Sequence, residues 1–284
     1  MRGKTVSIIN MKGGVGKTTL TVNLAHYLAK NLNKKVLLID FDPQANATSA
    51  LIEYDQYQAH RKKKMMISEI FSDLRNLISP SGKEAKAKKL ELNDLIINVY
   101  GETNKGKIDL VPSELELSNI LERASGSNME ERLDFIIKDK KQAYDYVLID
   151  CSPTYSVLTN NALNTSNYVL IPVKPDPFSA RGIPMLLEKI DLHNQFKEEI
   201  KQVEVLGIVF NMVKDSRYID SIKAEIYRSH RGVFETEIRF SENYPIAFFE
   251  NKFILESRAQ AQFKDNFSNF AEEFVRKIQM DVKD

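Results

Sequence analysis

Cysteine is almost absent: Cys151 is the only one in 284 residues. An intrachain disulfide framework is therefore excluded, as are cysteine-ligated zinc and iron–sulfur sites within one chain. Histidine is scarce as well. His26, His60, His193 and His230 are scattered, without metal-ligand spacing. No apolar run approaches the ~18 residues of a membrane span, so none is expected. No long apolar run follows Met1-Arg2-Gly3-Lys4, so no signal peptide is expected either. Neither sign of charge prevails, since 40 basic and 39 acidic residues leave a formal charge of +1. That balance excludes a globally basic nucleic-acid coat protein and an acidic disordered chain, but leaves room for a local basic face. The expectation is a soluble protein of a reducing cytoplasm.

Against these absences stands a 43% hydrophobic content, and a chain of this length can bury roughly 75% of its unfolded surface. Thr5–Asn10 and Lys35–Asp40 are short apolar runs. Between them lie a glycine-rich loop and a helical pattern from Lys17 with Leu20, Leu24 and Leu28 on one face. The order strand, loop, helix, strand is a βαβ unit. Lys107–Val111, Tyr146–Asp150, Tyr168–Val173 and Val205–Met212 are further strand candidates, mostly separated by helical patterns. Continuously apolar short strands alternating with helices predict a mostly parallel sheet covered on both faces. Gln56–Lys107 is more polar, with basic tracts at Arg61–Lys64 and at Lys83, Lys86, Lys88 and Lys89. Helical pieces are expected at Ile67–Ile78 and Lys83–Leu92, but no second core pattern. This stretch is read as an elaborated connection within one domain spanning residues 1–284. Phe263, Phe267, Phe270, Phe274 and Ile278 form one apolar helix stripe near the end.

The strongest signal is Lys12-Gly13-Gly14-Val15-Gly16-Lys17-Thr18-Thr19, set between a strand and a helix. Glycines let the backbone approach an anion and aim successive N–H groups at it. The helix N-terminus adds partial positive charge. Lys17 is suited to β- and γ-phosphates and the Thr18 hydroxyl to Mg²⁺. Five specified letters arise by chance in about one such chain in ten thousand. The loop departs from G-x-x-x-x-G-K-[ST]: Met11 stands where the first glycine belongs, and a second lysine, Lys12, opens it.

Lys12–Thr19 resembles the deviant Walker A motif of the ParA/MinD family of dimeric ATPases. Asp40-Phe41-Asp42-Pro43-Gln44-Ala45-Asn46-Ala47-Thr48 resembles that family's D-x-D-P-Q-x-N-A-T segment, and Tyr144–Pro153 its Walker B strand. Val169–Val173 and Gly207–Asn211 are similar to its later strands. The resemblance implies a P-loop NTPase-type α/β three-layer sandwich, with a twisted, mostly parallel sheet and helices on both faces. It also implies ATP and Mg²⁺ as ligands.

By position, Asp150 ends an apolar strand at the carboxyl edge of the sheet, where ligands bind in open α/β folds. It is a candidate Mg²⁺ ligand or, alternatively, a helix N-cap before Ser152. The resemblance makes Asp42 the residue that positions or activates the attacking water and puts Asp40 near Mg²⁺ and Lys17. The alternative for Asp42 is to start the turn at Pro43. Lys12 matches the family's signature lysine, which reaches the partner's phosphates in a nucleotide-sandwich homodimer; alternatively it is a solvated charge. Asn211 matches an adenine-contacting asparagine, and is otherwise a turn residue. Cys151 reads as a small buried apolar residue.

Within the family, the partition branch implies an ATP dimer that binds DNA without sequence preference and answers to a centromere-binding ParB-like partner. It also implies association with the nucleoid. Lys214, Arg217, Lys223, Arg228 and Arg231 outnumber Asp215, Asp220 and Glu225. Arg217 and Arg239 match basic positions of the family. These residues are the candidate DNA face, or solvated charges. The C-terminal helix mixes acidic with basic residues to Asp284, so stable membrane anchoring is not expected. The phosphate loop begins near residue 11, so no N-terminal helix-turn-helix domain is expected. A MinD-like or other cargo-positioning ATPase is the alternative; a metabolic P-loop enzyme would leave Lys12 without a function.

Overall fold

Each expected core strand is a run of apolar residues, and each is buried on both faces. The computed structural model describes residues 3–71, 91–102, 105–119, 129–195, 197–198, 202–230 and 232–280. Seven strands form one sheet in these residues: β1 (Lys4–Ile8), β2 (Lys35–Phe41), β3 (Ile97–Gly101), β4 (Lys107–Val111), β5 (Tyr146–Cys151), β6 (Tyr168–Val173) and β7 (Glu204–Phe210). Their spatial order is β3-β4-β2-β5-β1-β6-β7. All neighbours are parallel except β3 with β4.

Side chains alternate between two cores, as the period of two along a strand requires. Val6, Val36, Leu38, Leu148 and Leu170 enter one cluster; Leu37, Ile39, Val147, Ile149 and Val169 enter the other. The first cluster is covered by α1 (Lys17–Leu32) and by the C-terminal helix Ala261–Met280. Phe267, Phe270, Phe274 and Ile278 of the expected stripe are buried there, with Tyr146 and Phe274 ring centroids 6.2 Å apart. The stripe is thus spent on the sheet. The second cluster is covered by Val157–Thr165, Pro177–Gln195 and Arg217–Ser229. No helix among the described residues is long and apolar enough to cross a membrane.

The stretch 56–107 departs from its expected reading. It supplies β3, an antiparallel edge strand that the sequence pattern did not announce. Ile67, Ile70, Phe71, Leu92 and Leu95 bury themselves in the second cluster. The expected helix from Ile67 is a 3₁₀ turn over Ile67–Phe71. The rest of that helix, and Lys83, Lys86, Lys88 and Lys89, lie outside the described residues, as does Arg231.

Strand order reverses around β1. The chain leaves it towards β2 on one side, while β6 flanks it on the other. That crevice, at the carboxyl ends of parallel strands, is where open α/β sheets bind ligands, and the loop after β1 is the glycine-rich one.

Candidate nucleotide site

Gly14 and Gly16 take positive φ, +73° and +85°, which lets the loop turn back on itself and enter α1. Gly16 is the N-cap of α1. A Cβ there would lie 2.4 Å from Asn211 Nδ2, so no side chain fits without moving Asn211. Beside Gly13 and Gly14 the space is open. The loop is therefore closed on the side of β7 and open on the side an anion would occupy.

Lys17 lies back along the loop. Its buried Nζ donates to Asn10 C=O (3.1 Å) and Lys12 C=O (3.3 Å). Burial lowers its pKa, and the negative charges of Asp150 and Asp42 work against that shift. Thr18 Oγ1 donates to Asp150 Oδ2 at 2.6 Å, while Asp150 Oδ1 is buried without a hydrogen-bond partner. Asp150 stays within β5, and Ser156 caps the next helix. The alternative of a helix N-cap is thereby removed.

Asp40 is paired in register with Asp150 across β2 and β5. Both are fully buried. Burial raises both carboxyl pKa values, and the neighbouring carboxylates add to the rise. Asp40 Oδ2 accepts from Thr48 N (2.8 Å) and Thr48 Oγ1 (2.7 Å), and Oδ1 accepts from Asp42 N (3.3 Å). Asp42 makes the expected turn and also lies beside the phosphate-loop lysine. Its Oδ1 accepts from Gln44 N at 3.0 Å, which makes the turn, and its side chain lies close enough to Lys17 to act on that charge. Ala45 holds φ +53° and Met212 φ +57°, so two strained non-glycine residues flank Asp42 and Asn211.

These residues suit a divalent cation held jointly with phosphates. A buried carboxylate oxygen lacks a partner beside a hydroxyl, and hard oxygen donors are what Mg²⁺ takes. Among the described residues, no three His, Cys, Asp or Glu side chains form a metal cluster by themselves. Mg²⁺ commonly keeps few protein ligands and completes its shell with phosphate and water.

The remaining expected residues divide. Asn211 follows β7; its Nδ2 donates to Val15 C=O (2.8 Å), and its Oδ1 accepts from Met212 N (3.0 Å). Next to it, Thr19, Met212, Arg239, Phe240 and Tyr244 help to line a cavity of about 250 Å³. The Tyr244 hydroxyl is buried there without a partner. Cys151 is buried, and burial pushes its thiol pKa well up, so it is inert. Lys12, at the outer lip, forms an ion pair with Asp176 and lies 5.7 Å from the Phe178 ring centroid. Arg217, Arg228 and Arg239 are exposed. Lys223 is held by Glu237 (2.9 Å) and Asp220 (3.0 Å) and its side chain is largely covered, while Arg239 pairs at 3.6 Å with the exposed Asp215. Arg61, from the other basic tract, is paired with Glu114 and Glu116.

Asp176 and Ser113 were not marked by sequence reasoning. Each stands just past the carboxyl end of a strand that was recognised, and that position is the signal that finds them.

A family model described as an AAA domain matches residues 3–203. The chain is 35% identical over 250 residues to the sporulation initiation inhibitor protein Soj of Bacillus subtilis, covering 84% of this chain and 87% of that protein. The chain belongs to the ParA/MinD family of ATPases. It is 32% identical over 237 residues to the chromosome partitioning protein ParA of Myxococcus xanthus, covering 83% of this chain and 73% of that one. Among solved structures, it is similar to a plasmid partition protein of Borrelia burgdorferi bound to AMPPNP. That match has 26% identity and a TM-score of 0.77, over 97% of this chain and 99% of the other. The ParA-type sheet of that protein and the seven strands described here share one architecture.

Proposed function

We propose that this ParA-family chain is a partition ATPase. It binds ATP·Mg²⁺, dimerises around the nucleotide, binds DNA without sequence preference and is stimulated by a centromere-binding, ParB-like partner. Its work is to segregate a plasmid or chromosome, and its place is the nucleoid. The observation that carries this reading is the convergence, at one crevice, of the glycine loop, Lys17, Thr18, Asp150, Asp40 and Asp42 with a second lysine at the lip.

Lys17 and the amides of Gly13–Thr19 would hold the triphosphate, with Thr18 and Asp150 on Mg²⁺ and Asp40 close by. When bound, Mg²⁺ would neutralise charge on the β- and γ-oxygens. Asp42 would orient the attacking water. Asn211 and Tyr244 help to line the cavity that would receive the base. Lys12 would supply a positive charge to the partner's phosphates, as an arginine finger does. The surface around Lys12 supports contact with a second copy: Phe178 is 74% and Met185 60% exposed, with Met11 beside them. Arg217, Arg228 and Arg239 offer exposed charge for phosphate neutralisation, the basis of binding without sequence preference. Residues 1–284 would act as one ATPase domain.

The deciding measurement is binding to random-sequence duplex DNA with ATP, ADP or no nucleotide across a salt series. ATP-dependent binding that weakens steeply with salt is expected. Absence of binding in every state would overturn the DNA reading and favour a cargo-positioning relative.

A further inference from the structure

The segment that carries Asp42 is fastened from behind by two buried hydroxyls. Ser113 stands two residues beyond β4. Its Oγ donates to Asp42 C=O at 2.8 Å, and its N–H donates to Thr48 Oγ1 at 2.8 Å. Thr48 Oγ1 in turn donates to Asp40 Oδ2 at 2.7 Å. Both side chains are fully buried.

Proton counting fixes the direction of this chain. A backbone N–H only donates, so Thr48 Oγ1 must accept from Ser113 and send its single proton to Asp40. Asp42 C=O accepts from Ser113 Oγ and also from Ala45 N (2.9 Å). The two bonds pin the carbonyl immediately before Pro43 and help to hold Ala45 at its positive φ. The direction in which the Asp42 side chain leaves the backbone is thereby set by a loop more than 70 residues away in sequence.

We propose that Ser113 and Thr48 are positioning residues for hydrolysis, clasping the Asp40–Asp42 segment so that Asp42 is aimed at the attacking water. The inference rests on the reading of Asp42 given above. Neither hydroxyl bonds to the phosphate loop, and Thr48 reaches the nucleotide site only through Asp40, whose Oδ2 also keeps its bond from Thr48 N, so the effect on ATP affinity should be small. A displacement of about 1 Å at a reacting group can cost ~100-fold in rate while leaving ground-state binding alone.

The test compares steady-state ATP turnover with equilibrium ATP affinity for five proteins: wild type, Asp42→Ala, Ser113→Ala, Thr48→Val and Thr48→Ser. Ser113→Ala and Thr48→Val should lose about tenfold in turnover with ATP affinity within ~3-fold of wild type. Thr48→Ser keeps the hydroxyl and should turn over within ~2-fold of wild type. Wild-type turnover in both Ser113→Ala and Thr48→Val overturns the inference, provided Asp42→Ala is impaired. So does a parallel loss of turnover and affinity, which marks a merely structural role. If Asp42→Ala turns over like wild type, the reading of Asp42 fails first and takes the clasp with it.

Discussion

Lys12 and Asp176 form an ion pair within one chain, at the mouth of the phosphate loop. Asp176 also caps the helix that follows it, accepting from Phe178 N (3.1 Å) and Ser179 N (3.0 Å). Partial burial works against ionisation, but the bonds from Lys12 and Ser179 hold its carboxyl below the usual range. The lysine expected to reach a second copy therefore starts out engaged at home.

If Lys12 serves a second copy as proposed, this pair opposes dimer formation. Asp176→Asn removes the charge but keeps the helix cap, since asparagine caps as well as aspartate. Sedimentation with ATP should show Asp176→Asn dimerising at several-fold lower protein concentration than wild type. Lys12→Ala should remain monomeric with ATP. A Lys12→Ala protein that dimerises like wild type would remove Lys12 from the interface.

The buried pair Asp40 and Asp150 has a pH signature. Their carboxyls are raised in the folded state and ordinary in the unfolded one. Between those two ranges the native state binds protons that the unfolded chain lacks, so the charged pair costs most stability at alkaline pH. Asp150→Asn should raise the melting temperature of the nucleotide-free protein near pH 8, by ~2–4 °C for each ~1 kcal/mol relieved. The gain should shrink as pH falls through the raised range. The same variant should weaken Mg²⁺-dependent ATP binding. A gain that grows towards acid pH would contradict the assignment.

The proposed site predicts that binding and turnover separate in variants. Lys17→Ala should abolish ATP binding in equilibrium dialysis while circular dichroism shows an unchanged fold. Asp42→Ala should bind ATP as tightly as wild type and trap the dimer, with turnover lowered at least ~100-fold. Tight ATP binding by Lys17→Ala would sink the phosphate-loop reading.

The proposed DNA face rests on exposed arginines. Arg217→Glu with Arg239→Glu should weaken DNA binding and lower the slope of log affinity against log salt by ~1 per lost phosphate contact. The ATP dimer should persist in sedimentation. Lys223→Ala should change DNA affinity little, because Asp220 and Glu237 already hold Lys223. A large loss in Lys223→Ala would return that lysine to the face.

The sequence by itself determined the parts whose signal is local. The apolar runs of β1, β2, β4, β5, β6 and β7 are continuous because both faces are covered, and the glycine–lysine–threonine loop encodes its own turn and charge. The C-terminal stripe declares its buried face by its 3.6-residue period. Tertiary structure decided the rest, because its causes are distant along the chain. β3 was not legible: at an edge, Asn98 is exposed and Val99 and Tyr100 are only partly covered, so no continuous apolar run marks them. Strand order, which sets Asp40 beside Asp150 at the reversal around β1, depends on packing across more than a hundred residues. Asp176 reaches Lys12 across 164 residues and Ser113 reaches Asp42 across 71. Lys223 looks free in sequence until Glu237 folds against it. A hydrogen bond or ion pair needs atoms within ~3 Å, and spacing along the chain specifies that only where local geometry is regular.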